Sequence, residues 1–286
     1  MKLLKLTLLT VSLMVFILIE SSAQVETPSA SPLATLSQKV GLTDVTIEYS
    51  RPSMRGRKIF GDLVPYGKIW RTGANMATKL TFADDVTIGG KALKAGTYAL
   101  FTIPGENEWT VIFNTNYRQG GTGNYKESED VVRVTVKPEK MPVSVETFLI
   151  ILEEVTNTSA VIGLLWENTY VPIALGVSID DRVMASIQRS LTVNPNNYVA
   201  AANYYRESGK DLKQALAWID EAIKSYEASG MNAFWVYRQK SLIEADMKNY
   251  KAAIATAKIG AEKAKTANND DYVKMNNDSI AEWSKK

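Results

Sequence analysis

The chain has 286 residues and a formal net charge of +2 at neutral pH, and it contains neither histidine nor cysteine. These absences exclude Ser-His and Cys-His nucleophiles, and they exclude His or thiolate ligands for zinc, copper or haem. Carboxylate chemistry, uncommon Lys or Ser nucleophiles and oxygen-ligated cations stay open. Because no recognised catalytic motif occurs, the sequence predicts no catalytic residue, no metal ligand and no cofactor.

The first 23 residues have the pattern of a secretory signal. Lys2 and Lys5 precede an apolar run at 6–19, and small residues at 21–23 suit a signal peptidase. As a helix, the apolar run would span about 21 Å, which is short of the roughly 30 Å hydrocarbon core of a membrane. The sequence therefore predicts a cleaved signal peptide at 1–23, a mature chain that begins at Gln24, and a periplasmic or secreted location.

Periodicity divides the mature chain into an N-terminal extension at 24–44, a β domain at 45–177 and an α-helical domain at 178–286. In the β domain, short runs of β-branched and aromatic residues alternate with turn sequences such as Gly89-Gly90 and Asn157-Thr158. About eight or nine such runs with hairpin connections predict an antiparallel β-sandwich, and a closed barrel is the alternative. The fold class is therefore predicted to be α+β.

After Ser178 the period of the apolar residues changes from two to about 3.6, which is typical of helices. Six helices in antiparallel pairs are predicted. The first begins at Asp180 or Asp181 and ends at the break Val193-Asn194-Pro195, and the others are Tyr198–Ser208, Leu212–Ala228, Asn232–Met247, Tyr250–Ala267 and Asp271–Trp283.

Two helical segments, 208–223 and 246–261, align with each other at an offset that places Ala215 over Ala253. They resemble tetratricopeptide repeats, in which a small residue lets paired helices approach closely, and this resemblance implies helical-hairpin packing. The aromatic residues of this domain are expected to fill the core between helices, although a partner groove is the alternative. These residues are Tyr204, Tyr205, Trp218, Trp235 and Tyr237.

The least ordinary part of the chain is residues 51–75, which we call the basic segment. Between Arg51 and Arg71 it carries six Lys or Arg residues against one acid, Asp62, and aromatic residues lie among its glycines and prolines. Guanidinium groups bind carboxylate, phosphate or sulfate through paired N–H groups, and indole or phenol rings add a stacking face. The candidate ligand-binding residues are Arg51, Arg55, Arg57, Tyr66, Trp70, Arg71 and Asn75.

A structural interpretation of the basic segment stays open. It describes a long connection between strands that apolar residues such as Phe60 and Val64 hold against the sandwich, with the arginines paired to acids. The acids named for this pairing are Glu48, Asp62, Asp84 and Asp85.

Three segments of the β domain have a distinctive order and spacing: YSRPSMRGRKIFGDLVPYGKIWRTGAN at 49–75, IGGKALKAGTYALFTIP at 88–104 and WTVIFN at 109–114. In these segments the chain resembles a family of exported bacterial proteins known only as domain of unknown function 2911. The resemblance implies no activity. It does imply that the β domain and the helical tail form one recurring architecture.

Three functions are compatible with these observations. The first is a periplasmic binding protein whose basic segment takes an anionic small molecule, a glycan or a protein. The second is a scaffold that acts only through its helical repeats. The third is a hydrolase or lyase on envelope polysaccharide, which requires that two of Glu48, Asp62, Asp84, Asp85 and Glu167 converge. The near-neutral mature chain argues against nucleic acid or an anionic membrane as a partner, and the sequence gives no oligomeric state.

Overall fold

The computed structural model describes residues 27–286, so the predicted signal peptide at 1–23 lies outside the described residues. The chain divides into two compact units, with the boundary between Ser178 and Ile179. The first unit is built from strands and the second from helices. This arrangement confirms the predicted α+β class.

In the described part of the first unit, residues 27–178, there are ten strands. They are β1 (Leu33–Val40), β2 (Thr43–Ser50), β3 (Ala74–Phe82), β4 (Val86–Ile88), β5 (Lys91–Leu93), β6 (Gly96–Ile103), β7 (Trp109–Asn114), β8 (Asp130–Val136), β9 (Glu139–Glu153) and β10 (Ser159–Val177).

These strands form two antiparallel sheets. One has six strands in the order β1-β2-β3-β6-β7-β8, and the other has four in the order β5-β4-β10-β9. The sheets face each other: the Tyr49 ring of β2 lies 5.8 Å from that of Phe148 in β9, and the Tyr49 hydroxyl donates to the Ile150 carbonyl at 3.3 Å. Two separate sheets confirm the sandwich, and they exclude the barrel alternative.

Strand β1 differs from the sequence prediction, because 24–44 is predicted to be an extension and Leu33–Val40 pairs with β2 along its whole length. A two-residue turn at Gly41-Leu42 joins the two strands, and Gly41 has a φ of +56° there. The sequence LATLSQKV has few β-branched or aromatic residues. It is an edge strand, in which pairing to a neighbour compensates for weak intrinsic preference.

In the middle of the long strand β10, the buried face switches from one side of the strand to the other. Its buried residues have even numbers from Ala160 to Trp166 and odd numbers from Val171 to Val177. The change of phase coincides with register shifts on both sides of Glu167, which has a φ of +53°. The left-handed backbone of Glu167 interrupts the regular alternation of side chains between the two faces of the strand. A polar stretch, Glu167-Asn168-Thr169, lies at this interruption, between two apolar halves of β10.

The second unit contains six helices, as predicted. They are α1 (Asp180–Ser190), α2 (Pro195–Glu207), α3 (Leu212–Ala228), α4 (Phe234–Asp246), α5 (Tyr250–Thr266) and α6 (Asp270–Trp283).

Consecutive helices pack as hairpins, and α4 also contacts α2 and α6. Ala215 and Ala253, which the sequence alignment superimposes, are both fully buried, so each lets its helix approach a neighbour closely. Aromatic residues fill the spaces between helices: the Trp218 ring lies 4.6 Å from that of Tyr205, and Trp235 packs against Tyr226 at 5.8 Å. Among residues 27–286, no helix has both the length and the apolar character that a membrane crossing needs.

A buried carboxyl group makes the helical unit sensitive to pH. Glu244 is 7 % exposed, and burial raises its pKa, although a hydrogen bond with Thr256 and the charge of Lys240 oppose the shift. Asp220 adds to the upward shift. Between the unfolded value of 4.5 and the raised folded pKa, the folded state binds more protons, so stability falls as pH rises through this window.

We therefore expect Glu244→Gln to raise the melting temperature of the helical unit at neutral pH. The gain should disappear below pH 4.5, where both states of the wild type are protonated. Thermal unfolding followed by circular dichroism over this pH range is the measurement. Glu221→Gln replaces an exposed carboxylate of α3 and should change little. Equal melting temperatures of wild type and Glu244→Gln at neutral pH would contradict the prediction.

Candidate functional site

The basic segment connects β2 to β3 and is fixed to both sheets. At its start, Ser53 pairs with Thr147 of β9, in the four-stranded sheet. Near its end, the Trp70 and Thr102 backbones exchange hydrogen bonds of 2.7 and 2.9 Å, and Thr102 belongs to β6 in the six-stranded sheet. The segment therefore crosses from one sheet to the other and is held at both ends.

An aromatic cluster lies beneath the segment. Trp70 stacks on Trp166 of β10 with ring centroids 5.8 Å apart and an interplanar angle of 20°. Phe60, Trp109 and Phe148 meet Trp70 edge-on at 5.3 to 6.4 Å. Trp70 is only 8 % exposed, because neighbouring rings cover most of its side chain.

Three of the predicted site residues donate hydrogen bonds to main-chain carbonyls of the protein itself. The Arg51 Nε donates to the Phe148 carbonyl at 3.1 Å, and an Arg55 Nη donates to the Ala30 carbonyl at 3.1 Å. The Asn75 side-chain amide donates to the Ser31 carbonyl at 3.1 Å. Arg51, Arg55 and Asn75 therefore attach the basic segment to β9 and to the residues before β1.

Arg57, Trp70 and Arg71 come together around one cavity of about 380 Å³, which we call the arginine cavity. Leu63, Val64 and Trp166 complete its apolar wall. Among residues 27–286, no acidic residue lines it.

The two arginines of this cavity are held differently. Arg57 donates from Nε to the Met54 carbonyl at 2.9 Å and from one Nη to the Ser53 carbonyl at 2.8 Å, so its guanidinium is oriented by backbone. The Arg71 guanidinium makes no hydrogen bond to any residue within 27–286, and its Nε is buried. A buried donor without a partner costs about 1–3 kcal/mol. The Nη groups of Arg71 are not among the buried atoms, so they are the donors that an anion in the cavity can reach.

The six cations of the basic segment have no carboxylate within 4.0 Å in the described part of the chain. Three of the four acids that the structural interpretation assigns to them are engaged elsewhere: Glu48 pairs with Lys79, Asp85 with Lys94, and Asp84 accepts from Thr43. The predicted ion pairs are therefore absent from residues 27–286. Their positive charges stay uncompensated by direct contact, although the apolar residues Ile59, Phe60 and Val64 are buried as that interpretation expects.

Backbone strain concentrates at the end of the basic segment. Thr72 and Asn75 have φ angles of +53° and +58°, and Gly73 between them has a φ of +144°. A Cβ on Gly73 would lie 3.0 Å from the Ser50 carbonyl oxygen, so only glycine fits. Such conformations cost about 1–3 kcal/mol each and are common near functional sites. Here the turn brings Arg71 and Trp70 to the cavity, and the Gly73 carbonyl accepts from the Trp70 indole at 3.1 Å.

Tyr66, the remaining predicted residue, lies at a second cavity of about 430 Å³, which we call the mixed-charge cleft. Burial, with the nearby carboxylates of Glu106 and Glu167, raises the pKa of the Tyr66 hydroxyl. Five charged residues line the cleft: Lys58, Glu106, Glu139, Lys140 and Glu167.

Three residues of this cleft, Lys58, Phe60 and Tyr66, belong to the basic segment, and Glu167 is one of the acids considered above for a hydrolase. Its other charged members come from the β6–β7 turn and from the start of β9. One signal could have pointed to it, namely the polar stretch Glu167-Asn168-Thr169 at the change of phase in β10. Of the five acids considered for a hydrolase, Glu167 alone lines either cavity.

Comparison with known proteins gives one match. A family model described as "Protein of unknown function (DUF2911)" matches residues 31–175, which is the β unit except for its ends. No curated protein and no solved structure matches the chain.

Proposed function

Because the chain belongs to the DUF2911 family, whose function is unknown, we propose its function from its geometry: it is an exported binding protein that holds a small anion in the arginine cavity. The anion carries a carboxylate, phosphate or sulfate group, and it lies between the guanidinium groups of Arg57 and Arg71. The expectation of export rests on the pattern of Lys2, Lys5 and the apolar run at 6–19.

One observation carries this proposal: the Arg71 guanidinium has no partner within 27–286 while it lines a cavity without acids. Folding removes part of the water around the Arg71 guanidinium, and no protein acceptor within 27–286 replaces it. This desolvation is unfavourable unless a ligand completes the site. Hydrogen bonds between a guanidinium and an oxyanion are among the strongest in proteins, and Arg provides them in pairs.

The Arg57 guanidinium is already oriented before a ligand binds. Two backbone carbonyls already fix its guanidinium, so little side-chain entropy is lost when a ligand binds. The walls of Leu63, Val64 and Trp166 exclude water from the other side and strengthen the attraction between charges. These features favour an anion with an apolar body over a fully hydrated ion.

The test is calorimetric titration of the purified chain with benzoate, inorganic phosphate and sulfate. We expect at least one of them to bind, and we expect Arg57→Ala and Arg71→Ala each to weaken its binding about tenfold or more. Binding should also weaken as salt concentration rises, because ions screen the attraction.

Lys68→Ala is the matched control, since Lys68 is an exposed cation of the same basic segment that lines neither cavity. It should leave the affinity unchanged. Equal affinities of the wild type and the Arg57→Ala, Arg71→Ala double variant would overturn the proposal, and so would the absence of binding to all three anions.

A further inference from the structure

The mixed-charge cleft has features of a second ligand site that the arginine cavity does not share. Its floor is aromatic, formed by Phe60 and Trp109, whose rings lie 4.9 Å apart. Its rim carries carboxylates and ammonium groups together. Its volume of about 430 Å³ falls within the roughly 300–1,000 Å³ range of small-molecule pockets.

The charged side chains of the rim form no ion pairs with one another. Glu106, Glu139, Lys58 and Lys140 make no side-chain hydrogen bond and no ion pair with any residue that the structure describes. Only Glu167 has a partner, because its carboxylate accepts from the Phe60 backbone N–H at 3.3 Å. Opposite charges that share a cavity without pairing leave both donors and acceptors available to a ligand.

An indole N–H in the floor also lacks a protein partner among the described residues. Trp109 is only 2 % exposed, and its indole N–H makes no hydrogen bond within residues 27–286. The other two indoles of the aromatic cluster do have acceptors: Trp70 donates to Gly73 and Trp166 donates to Glu146. Because Trp109 lines the cleft, a ligand there can accept from it.

This combination identifies the kind of ligand. An ion of either sign would meet repulsion from half of the rim, since carboxylates and ammonium groups both line it. A hydroxyl group can donate to a carboxylate and accept from an ammonium, amide or indole group. A sugar ring has several such hydroxyls around an apolar C–H face that packs on aromatic rings.

We propose that the mixed-charge cleft binds an uncharged saccharide. The ring packs on Tyr66, which lines the cleft and is 39 % exposed, and its hydroxyls donate to Glu106, Glu139 and Glu167 and accept from Lys58 and Lys140. This site is separate from the arginine cavity, so the proposal stands or falls independently of the proposed anion binding.

The test uses the indole N–H signals of the six tryptophans in a ¹H–¹⁵N spectrum of the full chain, with Trp109→Phe to identify the signal of Trp109. Glucose, galactose, N-acetylglucosamine and cellobiose are titrated in turn. We expect at least one of them to shift the Trp109 signal in a saturable way. Glu106→Gln and Lys140→Ala, both at exposed positions, should each weaken that binding about tenfold.

Two controls separate this site from the arginine cavity. The Arg57→Ala, Arg71→Ala double variant should keep its saccharide affinity, and Glu106→Gln should keep its affinity for anions. If no saccharide moves the Trp109 signal at about 10 mM, tenfold above a millimolar dissociation constant, the proposal is overturned. It is also overturned if glycine or phosphate saturates the cleft, or if Glu106→Gln and Lys140→Ala both bind sugar as the wild type does.

Discussion

Replacing Trp70 with alanine should lower the free energy of unfolding of the β unit by about 3–5 kcal/mol. The indole is the centre of the aromatic cluster: it stacks on Trp166 and meets Phe60, Trp109 and Phe148. Its removal leaves a cavity where four rings converge, and rigid rings cannot collapse into it. It also removes the donor to the Gly73 carbonyl, which helps to hold the turn at the end of the basic segment.

Denaturant unfolding followed by near-ultraviolet circular dichroism measures this loss, because that signal reports the packing of aromatic rings. Trp70→Phe is the control: it keeps a ring in the cluster, loses the indole hydrogen bond and should cost less than half as much. A loss below about 1 kcal/mol in Trp70→Ala would show that the cluster contributes little to stability, since typical losses at well-packed large aromatic sites are severalfold larger.

Gly73→Ala should destabilise the β unit by about 2–4 kcal/mol. At a φ of +144°, a side chain is strained whatever the space around it. The new Cβ would also lie 3.0 Å from the Ser50 carbonyl oxygen and 3.1 Å from the Thr78 hydroxyl, and the carbonyl belongs to the backbone of β2, which cannot move aside easily. Relief of this strain would shift Arg71, so we also expect weaker anion binding.

Gly67→Ala is the matched control for this prediction. Gly67 lies in the same basic segment and also has a positive φ, +69°, but nothing lies within 4 Å of a Cβ there. Its substitution should cost only about 1–2 kcal/mol, the usual penalty of the left-handed conformation. The two variants are compared by chemical denaturation. If Gly73→Ala is no less stable than Gly67→Ala, close approach to Ser50 does not constrain the turn.

The two proposed sites are both built on the aromatic cluster. Trp70 and Trp166 form a wall of the arginine cavity, and Phe60 and Trp109 form the floor of the mixed-charge cleft. These four residues pack on one another, with the Phe60 and Trp70 rings 6.0 Å apart. A rigid cluster positions binding groups more accurately than a loop alone can. This explains why a segment of 25 residues without regular secondary structure over most of its length is held in one conformation.

The local pattern of apolar residues in the sequence was sufficient to predict most of the fold. The switch from alternation to a 3.6-residue period located the boundary near Ser178, and the offset between Ala215 and Ala253 indicated helical hairpins. These features depend on neighbours in the chain, which the sequence displays directly. Strand β1 is the exception, because its residues have little preference of their own and pairing with β2 determines its conformation.

The amino-acid pattern was sufficient to predict the architecture, the missing imidazole and thiolate chemistry, and the presence of an uncommon basic segment. The roles of its cations depend on the folded chain, in which some bind backbone carbonyls and others line a cavity. The partners of Arg51 and Arg55 are the carbonyls of Phe148 and Ala30, which are 97 and 25 residues away in the chain. Long side chains are satisfied by whatever acceptors folding brings near, so their roles depend on contacts between distant segments.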